Sequence, residues 1–332
     1  MSALNNLRPA TTVHAEVRGV PCPSHQPPSP LTARPSSGNM KCVERGLTLL
    51  EFPKMTLGMP KFTMPPIVET LLAVQFDPLI KMRITDYGLF WSKIRDAFPI
   101  VQEHPPVPSV IEASQAQPMV INPLQWRIGG GFPLPRVWFK GAPSAEAATG
   151  DRGIQLQTDR FMQNWMRSEP GKGQYPSYEA NRTEFLKYFQ IFSDFVEERE
   201  LGPLTPNQCE VTYVNRITIE DGDLNKTFRA CFPSLAVRHS TDFLPGSDST
   251  GYMASFPIAG NYGRMHVMIN GPVKLDAGDV VIDFRLTARG APRGAAGGQI
   301  VNWLDLGREW VVRGFHCLTS EEMHRKWGYK HE

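Results

Sequence analysis

Hydrophobic and polar positions alternate along Ile67-Val68-Glu69-Thr70-Leu71-Leu72-Ala73-Val74-Gln75-Phe76. Val68, Leu72, Val74 and Phe76 fall on one face at period two and Glu69 and Gln75 on the other, which predicts a half-buried strand. Thr85-Asp86 then offers an N-cap. Leu89, Phe90, Ile94 and Phe98 form one apolar stripe that Pro99 ends, so a short helix is expected. Runs at 119–128, 136–140 and 153–161 read as strands, with Gly129-Gly130-Gly131 turning the first. A longer helix near 178–199 places Phe185, Tyr188, Phe189, Phe192 and Val196 on one side.

The same phrase then returns. Val211, Tyr213, Asn215, Ile217 and Ile219 share a face, with Thr212, Arg216 and Glu220 opposite. A short segment ends at Arg229-Ala230-Cys231-Phe232-Pro233, echoing Arg95-Asp96-Ala97-Phe98-Pro99. Strands follow at 251–258, 264–269 and 279–288, and a terminal helix carries Leu304, Val311, Phe315 and Leu318. Consecutive strands between sparse helices favour antiparallel sheets with helices on one face. The expected fold class is α+β: two tandem similar units of antiparallel sheet, 64–200 and 205–332, each with a short helix and a long packing helix.

Residues 1–60 break the pattern. They carry nine of the thirty prolines, including Pro23-Ser24-His25-Gln26-Pro27-Pro28-Ser29-Pro30, and no sustained periodicity. Such a stretch cannot bury enough surface to offset chain entropy. It reads as a disordered extension, or as sequence upstream of a true start at Met55, Met59 or Met64. It also lacks the apolar core of a secretory signal, so a cytoplasmic protein is expected.

The composition, 41% hydrophobic and 20% charged, is that of a globular protein, and no run reaches the ~18 to 20 apolar residues of a membrane span. Net charge is +2, and beyond residue 60 Lys and Arg number 29 against 30 Asp and Glu, so generic nucleic-acid binding is not expected. Cys22, Cys42, Cys209, Cys231 and Cys317 are odd in number and lack C-x-x-C spacing, which suits reduced thiols. No H-E-x-x-H occurs and the histidines are scattered, His316 and His324 standing eight apart, so neither a metal nor a cofactor is expected.

No catalytic motif emerges. The glycines at 129–131, 171–173 and 289–298 match neither a Walker loop nor a dinucleotide fingerprint, and there is no G-x-S-x-G elbow. Adjacent carboxylates at Glu197-Glu198 and Glu321-Glu322 point to different helical azimuths, as solvated charges do. What remains is a polar sheet face: Glu69, Gln75, Gln125, Arg127, Gln155, Gln157, Asp159, Arg216, His266, Asp283 and Arg285. It is either an ordinary solvated face or a groove. The densest segment, Ile154 to Trp165 followed by Tyr175-Pro176-Ser177-Tyr178-Glu179, mixes aromatics with hydrogen-bonding side chains and is expected to pass from a strand through a bend into a helix. Asn164 and Tyr178 there serve either a structural corner or a ligand. The candidate groove is therefore Glu69, Gln157, Asp159, Asn164, Tyr178, Arg216, His266, Asp283 and Arg285.

Several of these segments, Pro65-Pro66-Ile67-Val68-Glu69, Gln157-Thr158-Asp159-Arg160-Phe161 with Asn164-Trp165, Tyr175-Pro176 with Tyr178-Glu179, Val211 to Ile217, and Met323-His324-Arg325-Lys326-Trp327-Gly328, carry a resemblance. Over roughly residues 64 to 328 the chain resembles a sporadically distributed bacterial family of uncharacterised proteins. The resemblance brings no catalytic assignment. It implies an accessory gene context of the defence or toxin–antitoxin kind. The expected function is a non-enzymatic binding or regulatory module for a protein partner or small ligand, the alternative being an enzyme with an acid/base site between the two units. Trp303, Trp310 and Trp327 exceed one narrow stripe and leave room for a homodimer through the aromatic helices, core packing being the simpler account.

Overall fold

A nine-stranded antiparallel sheet organises the computed structural model, which describes residues 58–112, 134–142, 151–167, 175–236, 243–292 and 298–330. The chain enters through β1 (Lys61–Phe62) and β2 (Ile67–Phe76), then α1 (Ile84–Ile94), β3 (Ile100–His104), β4 (Arg136–Lys140), β5 (Asp151–Gln157), β6 (Arg160–Met166) and α2 (Tyr178–Glu198). It continues through β7 (Pro206–Thr218), α3 (Leu224–Cys231), β8 (Thr250–Ile258), β9 (Gly263–Lys274), β10 (Val280–Gly290), α4 (Gln299–Leu318), α5 (Glu321–Lys326) and β11 (Tyr329–Lys330). The expected strand at 119–128, the glycine runs at 129–131 and 171–173, and the proline-rich tail lie outside the described residues, as do Gln125 and Arg127.

The large sheet runs β3-β4-β5-β6-β2-β7-β10-β9-β8, and β1 pairs with β11 as a separate ribbon. The class is α+β. On each side of the β2–β7 pair the first strand of a half stands at the centre, its partner is the last strand of that half, and earlier strands step outward. The two halves thus share a connectivity, a statement about arrangement and not about origin by duplication. They meet as hydrogen-bonded neighbours, Leu72 opposite Val211 and Val74 opposite Cys209, so no cleft divides the sheet there. The described residues belong to one compact unit.

Helices cover one face. Phe161, Phe185, Phe189 and Phe192 pack with ring centroids 5.5–5.7 Å apart, and Phe90 meets Phe139, Phe192 and Phe195 from α1. In the other half Phe284 lies between Phe232 and Phe315 at 5.1 and 5.7 Å. Such aromatic contacts add about 0.5–1.5 kcal/mol each beyond the area they bury. Helix α4 comes unusually close to the sheet. A Cβ at Gly307 would stand 2.9 Å from the Trp303 ring and 3.0 Å from Val211, and one at Gly314, two turns on, 2.6 Å from the Met265 sulfur. Trp303 and Trp327 are core residues and Trp310 is half-buried.

Four expectations need correction. The expected strand at 153–161 is a hairpin, β5 and β6 around Thr158-Asp159, and 160–166 continues as strand where a bend was expected. Its turn lacks glycine and both faces of β6 are buried, so neither punctuation nor alternation marks it. Leu89 is 44% exposed, and α1 buries Tyr87, Phe90 and Ile94 in its place. That helix begins at Ile84 with Asp86 as its third residue, whose carboxylate accepts from Arg83 N at 2.7 Å, so Thr85-Asp86 is not the cap. A bulge between Ile67 and Glu69 in β2 puts Ile67 in the core in place of Val68, which is half-buried.

Candidate functional site

The period of two sends the alternate residues of the central strands to the face without helices, and the register then decides which of them meet. Eight of the nine candidate residues lie on this side. Arg216 stands opposite Asp283, and Arg285 opposite Val214, which is itself opposite Glu69. Asn164 and Glu69 come from neighbouring strands, and His266 faces Thr287. Gln157 ends β5 and Asp159 sits in the following turn. Tyr178 alone is elsewhere, at the start of α2 on the helical side, where its hydroxyl donates to Asp305 at 2.8 Å.

Two polar constellations form. The first crosses four strands as a relay: Arg136 donates to Gln155 at 2.9 Å, Gln155 to Asn164 at 2.5 Å and Asn164 to Glu69 at 2.5 Å. Gln155 and Asn164 are almost wholly buried, so each amide spends its groups on the next. Asn164 is mid-strand and its amide is engaged by Gln155 and Glu69, not by a turn backbone among the described residues. Burial pushes the Glu69 carboxyl above its ordinary value, against the Asn164 hydrogen bond and the charges of Arg285 and Arg216. The Arg216 to Asp283 pair at 3.7 Å is part-exposed and contributes little to stability.

The second constellation holds a piece of the chain itself. Residues 105–112, which follow β3, run across one end of the sheet face as a strap. Gln157 accepts from Val107 N and donates to Val107 O, both at 2.9 Å. Gln75 accepts from Val110 N at 3.0 Å, and Gln208 from Glu112 N at 3.3 Å. Arg160 donates to Pro108 O at 3.1 Å and to Gln75 at 2.6 Å, while Ser109 bonds Asp159. At the far end Glu112 meets His266 at 2.6 Å and Arg289 at 3.3 Å, and His266 also meets Ser255 at 2.8 Å. The strap thus touches β5, β6, β2, β7, β10 and β9 in spatial order. Burial alone would raise the Glu112 carboxyl, but the His266 hydrogen bond with the charges of His266, Arg289 and Arg264 outweighs it and holds the group below its usual range.

Beyond the strap the face changes character. Across β7, β10, β9 and β8 the register aligns Val214, Arg285, Met268 and Met253: Val214 is buried, Met268 half-buried and Met253 63% exposed, the exposed Arg285 stands between Val214 and Met268, and the exposed Arg216 follows two positions after Val214 in β7. Methionine side chains adapt to varied partners, and arginine presents fixed donors to carboxylates.

The sequence reading missed Gln75's role toward the strap, Gln208, Arg160 and the strap itself. Its partners lie up to 177 positions away, so local pattern carried no sign of it. Among the described residues no group of three or more His, Cys, Asp or Glu is placed to hold a metal ion. His316 and His324 stack at 4.3 Å, beside Phe62 and Tyr329. Cys209 and Cys231 are buried free thiols and Cys317 an exposed one. No helix among the described residues is long and apolar enough to cross a membrane. No protein-family model, curated protein or solved structure matches the chain, so the reading of this face rests on its geometry.

Proposed function

We propose that the protein is a non-catalytic binding module whose polar sheet face grips an extended, carboxylate-bearing segment of a protein partner. The supporting observation is the reciprocal pairing of Gln157 with the N–H and C=O of Val107, joined by Gln75 and Gln208 on Val110 and Glu112. Side-chain amides used in this way read a main chain and do not depend on its sequence. The strap takes up one end, and the row of Val214, Arg285, Met268 and Met253, with Arg216 two positions from Val214, offers an adjoining track for a second segment. The family resemblance extends this reading to a regulatory role in an accessory, defence or antitoxin-like gene context. To test it, the tagged full chain is expressed in a bacterial host with its neighbouring genes, and copurifying proteins are quantified against an Arg216→Ala/Arg285→Ala variant. A stoichiometric partner lost from the variant at unchanged melting temperature supports the proposal; equal capture by both proteins contradicts it.

One observation favours a second reading, an enzyme. Glu69 is a carboxyl raised by burial next to two arginines, a pattern suited to an acid/base group beside an anion anchor. Its carboxylate is already engaged by Asn164, which weighs against it. Turnover abolished by Glu69→Gln with binding retained is the result that would favour this reading.

A further inference from the structure

On the helical side, where the two halves meet, α2 and α4 leave a cavity of ≈ 350 Å³ under the β1–β11 ribbon. Its walls are apolar, with Ile67, Leu286, Val311, Val312 and Phe315 among them. Arg308, Lys61 and Lys330 line it together with three tyrosines, Thr63 and Asn215, and among the described residues no carboxylate is in the lining. The two lysines are register partners in the ribbon and stand together at the rim. Two acids stand just outside the lining: Glu179, 3.7 Å from Arg308 with 62% of its side chain exposed, offsets the guanidinium only weakly, and Asp305, which accepts from Tyr178 at 2.8 Å, is taken up by Arg182 at 2.6 and 2.7 Å.

The phenols add donors. Tyr175 and Tyr213 hydroxyls are 2.9 Å apart, and a pair of phenols spends only one of its two protons between them. Arg308 lies over the Tyr178 ring at 5.0 Å, and as a guanidinium it can take no proton from the phenols. Burial foremost holds both Tyr175 and Tyr213 above the ordinary phenol range, so they remain neutral donors. Arg308 Nε is buried with no hydrogen-bond partner. A pocket of this size suits a small molecule, and its few convergent polar groups fix what the head of that molecule must be.

We propose that this cavity is a binding site for a small monocarboxylate with a compact apolar body, its carboxylate held by Arg308 and the Tyr175–Tyr213 hydroxyl pair. The apolar walls reject a bare inorganic anion, and a guanidinium beside neutral phenol donors rejects an amine.

The probe is 2-naphthoate, titrated calorimetrically into the full chain, with 2-naphthalenemethanol and acetate as the headless and bodiless controls. One-to-one binding of 2-naphthoate at least tenfold tighter than either control is expected. Arg308→Gln should bring it down to the level of the alcohol, Tyr213→Phe should weaken it several-fold, and Val312→Trp should block it by filling the space. Circular dichroism and melting temperature establish that each variant is folded; if Arg308→Gln is not, the other two decide. Equal binding of naphthoate and alcohol, absence of saturable naphthoate binding, or undiminished binding by the folded variants would each overturn the proposal.

Discussion

The side-chain amide of Gln157 accepts a hydrogen bond from Val107 N and donates one to Val107 O, both at 2.9 Å. A glutamine thereby does for residues 105–112 what a neighbouring strand does in a ladder, but from a sheet face and across the strand direction. Replacing Gln157 by leucine leaves both groups of Val107 without their partner, a cost of about 1–3 kcal/mol. Hydrogen exchange should quicken at Val107, Val110 and Glu112 while the amides of β2 and β7 keep their protection. Uniform loss of protection instead would mean that the strap is integral to the core.

The far end of the strap is pH-dependent. The folded-state pKa of Glu112 is depressed, so its contribution is present above the unfolded value of 4.5 and is lost as pH falls through the lower folded value. Strap amide protection, followed by exchange or NMR, should therefore hold at neutral pH and fade in acid. Glu112→Gln should flatten that dependence, and an unaltered profile in the variant would assign it to other groups.

Glu69 has the opposite sign. Its folded pKa is raised, so its contribution is greatest below 4.5 and declines as pH rises through the folded value. Glu69→Gln preserves an acceptor for Asn164 and removes the buried charge. The variant should match the wild type in acid and be equally or more stable at neutral pH by chemical denaturation. A loss of more than about 1 kcal/mol at neutral pH would show that the charge is held favourably by Arg285 and Arg216.

Gly307 and Gly314 separate two opposing effects. Alanine favours a helix over glycine by about 1 kcal/mol, whereas overpacking costs about 1–3 kcal/mol. At Gly307 the new methyl meets the Trp303 ring and Val211, both held in the core. At Gly314 it meets chiefly Met265, a flexible side chain that can turn aside. Thermal denaturation should show Gly307→Ala as the more destabilising of the two, and the reverse order would contradict the account of how α4 docks.

Much of the frame was legible where one face is buried and the other is not. Val280 to Thr287, with Ile282, Phe284 and Leu286 inward and Asp283 and Arg285 outward, is such a case, and the same alternation brought eight of the nine candidate residues to one side. Legibility ended where the governing contact is distant or both faces are covered. Phe161 to Trp165 is buried throughout and hid a hairpin. Ile100 to His104 is an edge strand with neither face buried and offered no pattern at all. The strap has no internal periodicity because its shape is imposed by Gln157, Gln75 and Gln208 from three other strands. Tyr178 was singled out for its neighbours in sequence, yet Asp305 and Arg308, which define its setting, come from the far half of the chain.

The central claim is that the face beyond the strap receives an extended, acidic segment of another protein. The most direct measurement places a photo-cross-linking amino acid at Met253, the exposed end of that track, in cells that carry the neighbouring genes, and maps the attached residues by mass spectrometry. The account predicts one protein, cross-linked within a single carboxylate-bearing stretch, and loss of the adduct when Arg216 and Arg285 are both alanine. Adducts scattered over many proteins, or one that persists in the double variant, would contradict it.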